Sequence, residues 1–378
     1  MTVFTPDNTV QVQSVIASAL AAGNKLELVG GGTRAEFGAP ARQAGRLNLT
    51  RLSGILEYDP AELVLTARAG TPLAEIEAAV AARGQALAFE PWGGQGSTIG
   101  GVLAAGVAGS RRVSAGAARD HLLGFEAVSG RGEVFRAGAK VVKNVTGYDL
   151  PKLLCGSWGR LAALTEVTLK VLPRPQERLT LIWRGLADEA GFALMRAALR
   201  APADIAAAAH LPGEATLLRL EGFGPSVAAR RGYLAAALAA YGAPEALAER
   251  EAAPLWAGLQ GGASFSGDAP LWGLSLPPRA ALAAIAPLLE LGGRYAADWG
   301  GGLIWLALDG HEEVIRRQAG QAGGHAMLVR APAALRARIP ALHPQPQPVE
   351  ALSRRVRLAF DPLGVFETNR FLDLAHAD

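Results

Sequence analysis

The feature that most constrains this chain is a run of three glycines set directly after a short apolar strand. Leu26 to Val29 reads as the strand, and Gly30-Gly31-Gly32-Thr33-Arg34 follows it. Three consecutive residues without a Cβ would cost a regular element too much conformational entropy, so the run is a loop. Such a loop can bring several backbone N–H groups close to phosphate oxygens, although a glycine run taken alone is more often a structural turn. There is no Gly-Lys-Ser/Thr for a nucleoside-triphosphate loop, and no Gly-x-Gly-x-x-Gly starts here.

The surrounding segments read as alternating helices and strands. From Thr9 an amphipathic helix carries Val12, Val15, Ile16, Ala19 and Leu20 at helical spacing and stops at Gly23. A second unit has a strand at Leu63 to Ala67 and then Gly70-Thr71-Pro72, where Thr71 is expected to cap a helix opened by Pro72 and buried along Leu73, Ile76 and Val80. Phe125 to Val128 and Glu133 to Arg136 read as two short strands. Val167, Leu169 and Val171 alternate with polar residues in a strand ending at Pro173, where the first domain is expected to end.

From about residue 176 the composition shifts to Ala, Leu and Arg. Strands at Leu179 to Trp183, Thr216 to Leu220, Leu271 to Leu276 and Leu303 to Leu308 alternate with helical stretches, an α+β pattern. The Pro-rich run from His343 to Pro348 reads as a stiff linker before a last helix, Val349 to Phe360.

A length of 378 residues suits two domains, and 50% apolar with 19% charged residues argues for folding throughout. The net charge of +3 is spread without the dense basic block of a nucleic-acid binder. The longest apolar stretches, Ile205 to Ala209 and Ala281 to Leu289, fall well short of the roughly 20 residues of a membrane span. Met1 to Gln13 lacks the pattern of a secretory signal, so a cytoplasmic location is expected. Cys155 is the only cysteine, so the chain alone builds no disulfide, Cys-based zinc site or iron–sulfur cluster. Any metal redox centre must sit on a partner.

Two further stretches pool small residues. The first is Gly96-Ser97-Thr98-Ile99-Gly100-Gly101 with Ala104, Ala105 and Gly106, followed by Arg119-Asp120 and Gly124. Its small residues would let a flat, bulky group lie against the main chain. The second runs from Lys143-Asn144 through Gly147-Tyr148-Asp149-Leu150 to Gly156-Ser157-Trp158-Gly159.

In this order, Gly-Gly-Gly-Thr, Thr-Ile-Gly-Gly, Arg-Asp-x-x-x-Gly, Lys-Asn-x-x-Gly-Tyr-Asp-Leu and Gly-Ser-x-Gly resemble the FAD domain of the D-lactate dehydrogenase and glycolate oxidase group, with the vanillyl-alcohol-oxidase or PCMH-type flavin fold. The resemblance covers about residues 1 to 173 and returns at Phe360 to Phe366. It implies an α+β fold: a two-subdomain FAD-binding domain over 1–173, an α+β cap with a largely antiparallel sheet over 174–342, and a linker and C-terminal segment over 343–378 that returns to the FAD domain.

The resemblance also implies an FAD pyrophosphate at Gly30, Gly31, Gly32, Thr33 and Arg34 and at Ser97, Thr98, Ile99, Gly100 and Gly101. Ala105, Gly106, Asn144, Gly147 and Tyr148 would lie nearer the flavin ring, and Gly159, Leu161 and Val167 would flank the adenine end. Thr33-Arg34 stands where many members carry a linking His, so the flavin is expected to be non-covalent.

Within the group, Gly323-Gly324-His325-Ala326 and the Asp361-Pro362 ending resemble the smaller FAD-binding subunits of bacterial glycolate oxidases. That implies a larger FAD-binding catalytic subunit and an iron–sulfur subunit as partners, and peripheral membrane association through them. The usual Phe-Asn-x-Gly-Arg ending departs here to Phe366-Glu367-Thr368-Asn369-Arg370. A His-x-Gly-Asp-Gly-Asn type motif is absent, and His325 with Arg330 is the one pair considered for a catalytic role. The alternatives are a self-sufficient FAD-dependent dehydrogenase and a structural subunit that has lost flavin.

Overall fold

The computed structural model describes residues 2–41, 44–138, 147–267 and 269–371. Near the N-terminus, β1 (Val3–Phe4), β2 (Lys25–Val29) and β3 (Ala44–Asn48) form a parallel sheet in the order β1-β3-β2. Parallel strands need crossovers. One is the helix Thr9–Ala21, which Asn8 caps by accepting from Gln11 N and which buries Val12, Ile16 and Ala19.

The next strands are β4 (Ile55–Asp59), β5 (Val64–Arg68), β6 (Gln85–Ala86), β7 (Leu122–Ser129), β8 (Val134–Gly138), β9 (Ala162–Lys170) and β10 (Leu172–Pro173). Five of them make an antiparallel sheet in the order β4-β5-β9-β7-β8, while β6 and β10 pair separately. The helices Leu73–Ala81 and Ile99–Ala105 bury Ile76, Val80, Ile99, Val102 and Leu103 in one core with Leu65, Val167 and Leu169. Thr71 does not cap the first of these helices. Pro72 holds the N-cap position with no side-chain cap, and the Thr71 hydroxyl instead donates to Arg68 O at 2.6 Å and accepts from Gly54 N at 2.9 Å. The local turn competes for the hydroxyl and wins.

The second half contributes β11 (Glu177–Arg184), β12 (Ala207–Leu211), β13 (Ala215–Gly222), β14 (Glu245–Ala248), β15 (Leu271–Ser275), β16 (Arg294–Asp298), β17 (Leu303–Ala307) and β18 (His325–Arg330). They form one antiparallel sheet, ordered β14-β11-β13-β12-β16-β17-β15-β18. One face is covered by helices that bury Phe192, Leu194, Val227, Leu234, Ile285 and Ile315. The other, rich in alanine at Ala207, Ala209, Ala215 and Ala296, packs against Trp256, Phe265 and Trp92.

Because Trp92 belongs to the first half, this face meets it directly. Ser110 Oγ donates to Asp298 Oδ2 at 2.8 Å, Trp299 Nε1 donates to Gly109 O at 3.0 Å, and Arg219 pairs with Glu90 at 2.6 Å. The helix Gln347–Phe360 then returns the chain to the first half, where Val356 and Phe360 pack on the five-stranded core and Val365 and Phe366 enter the core of the small parallel sheet. Among the described residues no helix is long and apolar enough to cross a membrane.

Candidate functional site

A cleft opens between the parallel sheet and the five-stranded sheet, and glycines make its walls. The loop after β2 and the stretch before the helix Ile99–Ala105 touch main chain to main chain. A Cβ on Gly31 would lie 1.5 Å from Gly96 O, and one on Gly30 would lie 2.3 Å from Thr98 Oγ1. At Gly32 the backbone turns through φ 71°, a conformation open to glycine at little cost. Gly100 seats the helix start on the end of β5, with a Cβ there only 2.7 Å from that of Ala69. Thr98 caps this helix by accepting from Gly101 N, and Thr33 and Ser97 share a 3.0 Å hydroxyl hydrogen bond across the two loops.

Arg34 supplies the positive charge on this wall. Its guanidinium lies 4.9 Å over the Trp92 ring and donates to Trp92 O through Nη2, while its buried Nε has no acceptor among the described residues. Burial lowers its pKa to about 10. A desolvated cation with a spare donor is what an anionic group in the cleft would satisfy.

The opposite lip is made by Trp158. Its φ of 57° sits between left-handed Gly156 and Gly159, and its N–H donates to Ala104 O at 2.8 Å. The indole stacks on Phe37 with centroids 3.9 Å apart. Arg370 closes that end by donating to Phe37 O and Arg34 O, so the C-terminal segment braces the first glycine loop.

The structure thus brings Gly30, Gly31, Gly32, Thr33, Arg34, Thr98, Gly100, Gly101, Ala105 and Gly159 to one cleft, with Ser97 touching it through Thr33. Ile99, Leu161 and Val167 are buried in the adjoining core rather than on the cleft wall. Gly106 lies behind the wall, where a Cβ would come within 3.1 Å of Gly156 Cα. Neither Gly147 nor Tyr148 lines the cleft, and the Tyr148 side chain is 91% exposed. Asn144 lies outside the described residues.

His325 and Arg330 stand at opposite ends of β18 and do not converge: Arg330 donates to Phe265 O, and His325 pairs in register with Ser275. Neither lines the cleft. Sequence reasoning missed Trp158, Phe37 and Arg370. The doublet of glycines around Ser157-Trp158 was the available signal for the first of them.

A family profile described as an FAD binding domain matches residues 2–138. The chain is also similar to the glycolate oxidase subunit GlcE of Escherichia coli (strain K12), at 37% identity over 348 residues that span 91% of this chain and 92% of the relative. The chain belongs to the family of glycolate oxidase subunit GlcE. This is a family of FAD-linked oxidoreductases. It extends to the glycolate oxidase subunit GlcD of Bacillus subtilis (strain 168), 30% identical over 230 residues, 58% of this chain and 47% of that one. Both relatives are named as oxidase subunits. The fold is shared with p-cresol methylhydroxylase solved with substrate bound, at a TM-score of 0.76 and 15% identity, covering 100% of this chain and 90% of that chain. The likeness shows a shared fold; the FAD binding domain rests on the family profile, and the antiparallel cap sheet is seen directly.

Proposed function

We propose that this chain is the FAD-binding subunit of an assembly that oxidises glycolate to glyoxylate, with a larger FAD-binding catalytic subunit and an iron–sulfur subunit as partners. The observation that carries the reading is the glycine cleft in a chain related to GlcE along 91% of its length. FAD suits its walls: Gly30 to Gly32 lay bare backbone on the cleft, with open space beside Gly32, and the Arg34 Nε–H lacks an acceptor among the described residues.

In this reading Gly30 to Arg34 and Ser97 to Gly101 hold the pyrophosphate, and Arg34 balances its charge. Ala105 lies toward the flavin ring, with Gly159 at the adenine end. Bound FAD supplies the two-electron acceptor for oxidation of a 2-hydroxy acid; the chain's own residues bind and orient it. The flavin is held non-covalently. Thr33 and Arg34 offer no linking imidazole, and burial pushes the Cys155 thiol up to about 12, far from a reactive thiolate.

The domains divide at 1–173, 174–342 and 343–378, with the last segment completing the first domain. Electrons leave through partners, which also provide any peripheral attachment to a membrane, since one cysteine cannot hold a cluster. The test is flavin absorbance of the purified chain, then acid precipitation, then anaerobic mixing with glycolate. Flavin that stays in the supernatant, and is reduced rapidly only after the larger subunit is added, is expected. Reduction by the chain alone at the rate of the assembly would overturn the subunit reading; absence of flavin would overturn the cofactor reading.

A further inference from the structure

A second cavity, of about 820 Å³, lies next to the glycine cleft and shares no wall residue with it. Trp158 lines the cleft and Phe371 lines the cavity, with 6.0 Å between their ring centres. The remaining walls come from β18, the segment 340–345 and the helix Gln347–Phe360. Met327, Leu342 and Phe371 give an apolar floor.

Above that floor the charge is one-sided. Arg160, Arg354 and Arg357 face the cavity with His325 and His343; among the described residues Glu350 is the one carboxylate on its wall, and it pairs at 3.2 Å with Arg357, which also meets Glu367 at 3.6 Å. Arg160 reaches Glu367 through Nη2 at 3.1 Å, yet its buried Nε has no acceptor among the described residues. Arg354 has no carboxylate partner among the described residues.

The imidazoles stand beside these guanidiniums as neutral hydrogen-bonding groups: burial first, then Arg112, lowers the pKa of His325, and burial first, then Arg316 and His325, lowers that of His343. Guanidiniums with an unfilled donor beside an apolar floor are a vacancy for negative charge.

We propose that this cavity binds a small organic carboxylate, its charged group held by Arg160, Arg354 and the two imidazoles and its carbon body resting on Met327, Leu342 and Phe371. The guanidinium fork suits a carboxylate or a phosphate equally. The apolar floor sets an organic acid apart from inorganic phosphate, which has no carbon body to lay on it. The site does not depend on the glycine cleft holding FAD.

Calorimetric titration of the full chain with succinate tests this, with butyramide as a neutral control and inorganic phosphate as an anion without a carbon body. Saturable one-site binding of succinate is expected, at least about tenfold tighter than either control. Arg354→Gln, at the open rim of the cavity, and His343→Gln should each weaken it about tenfold, whereas Arg279→Gln, exposed elsewhere, should leave it unchanged. Succinate should also raise the His325 pKa read from its imidazole resonances. Equal affinity in the wild type and both cavity variants, or phosphate binding as tightly as succinate, overturns the assignment. The same titration before and after flavin removal separates a failure here from a failure of the FAD reading.

Discussion

A methyl group at Gly31 would sit 1.5 Å from Gly96 O, whereas at Gly101 the nearest atom is Thr98 Oγ1 at 3.2 Å. The first contact is with backbone and cannot relax without moving a loop; the second is with a side chain that can give. Gly31→Ala should therefore lose FAD almost completely while Gly101→Ala keeps most of it, and Gly101→Val should lose it as well. The ratio of flavin to protein absorbance checks this, with far-UV circular dichroism showing the rest of the fold retained. Arg34→Gln removes a buried cation already strained by desolvation, so apo-protein stability should change little while FAD affinity drops at least about tenfold. Titration of apo-protein with FAD reads the drop. That Gly30 to Gly32 form a loop after a strand was legible in sequence, because three residues without a Cβ do not suit a regular element. Trp158 and Arg370 were not, because their roles arise from contacts with Phe37 and Arg34, far away along the chain.

The short helix Ile99–Ala105 depends on its first hydrogen bond more than a long helix would. Thr98→Ala removes the hydroxyl that accepts from Gly101 N and should cost about 1 kcal/mol of stability, with Thr98→Ser recovering most of it. Urea unfolding of the apo chain measures both. At this scale the sequence was readable where burial is one-sided: Val167, Leu169 and Val171 alternate with polar residues and are all fully buried. It was less readable in the cap, where four of the eight strands were anticipated. The strand Ala207–Leu211 is the clearest omission. Alanine has no leaning toward strands, and what makes this segment one is a position buried on both faces between β13 and β16. Thr71 failed as a cap signal for a different reason, since the same hydroxyl fits a local turn as well as a helix start.

Across the whole molecule the two halves meet through buried polar groups, and Asp298 is the most sensitive of them. Fully enclosed, and accepting from Ser110 Oγ and Trp299 N, its carboxyl is raised by burial from 3.8 to about 7. The folded chain thus keeps a proton that the unfolded chain releases near pH 4. This group's contribution is complete below about pH 4, is lost as pH rises toward about 7, and is level beyond. Melting temperatures between pH 5 and 8 should show that decline superposed on the other titrations, and Asp298→Asn should flatten it. A variant with the same slope as the wild type would remove Asp298 from the account.

The brace that Arg370 places on the glycine loop also sets an order of events during biogenesis. The loop leaves the ribosome early, but the residue that locks it is polymerised 336 positions later. Cofactor loading should accordingly follow translation rather than accompany it. A message truncated after the codon for Glu367 should yield a polypeptide with its sheets formed and its flavin missing, an outcome that circular dichroism and absorbance of the truncated product would separate from simple misfolding.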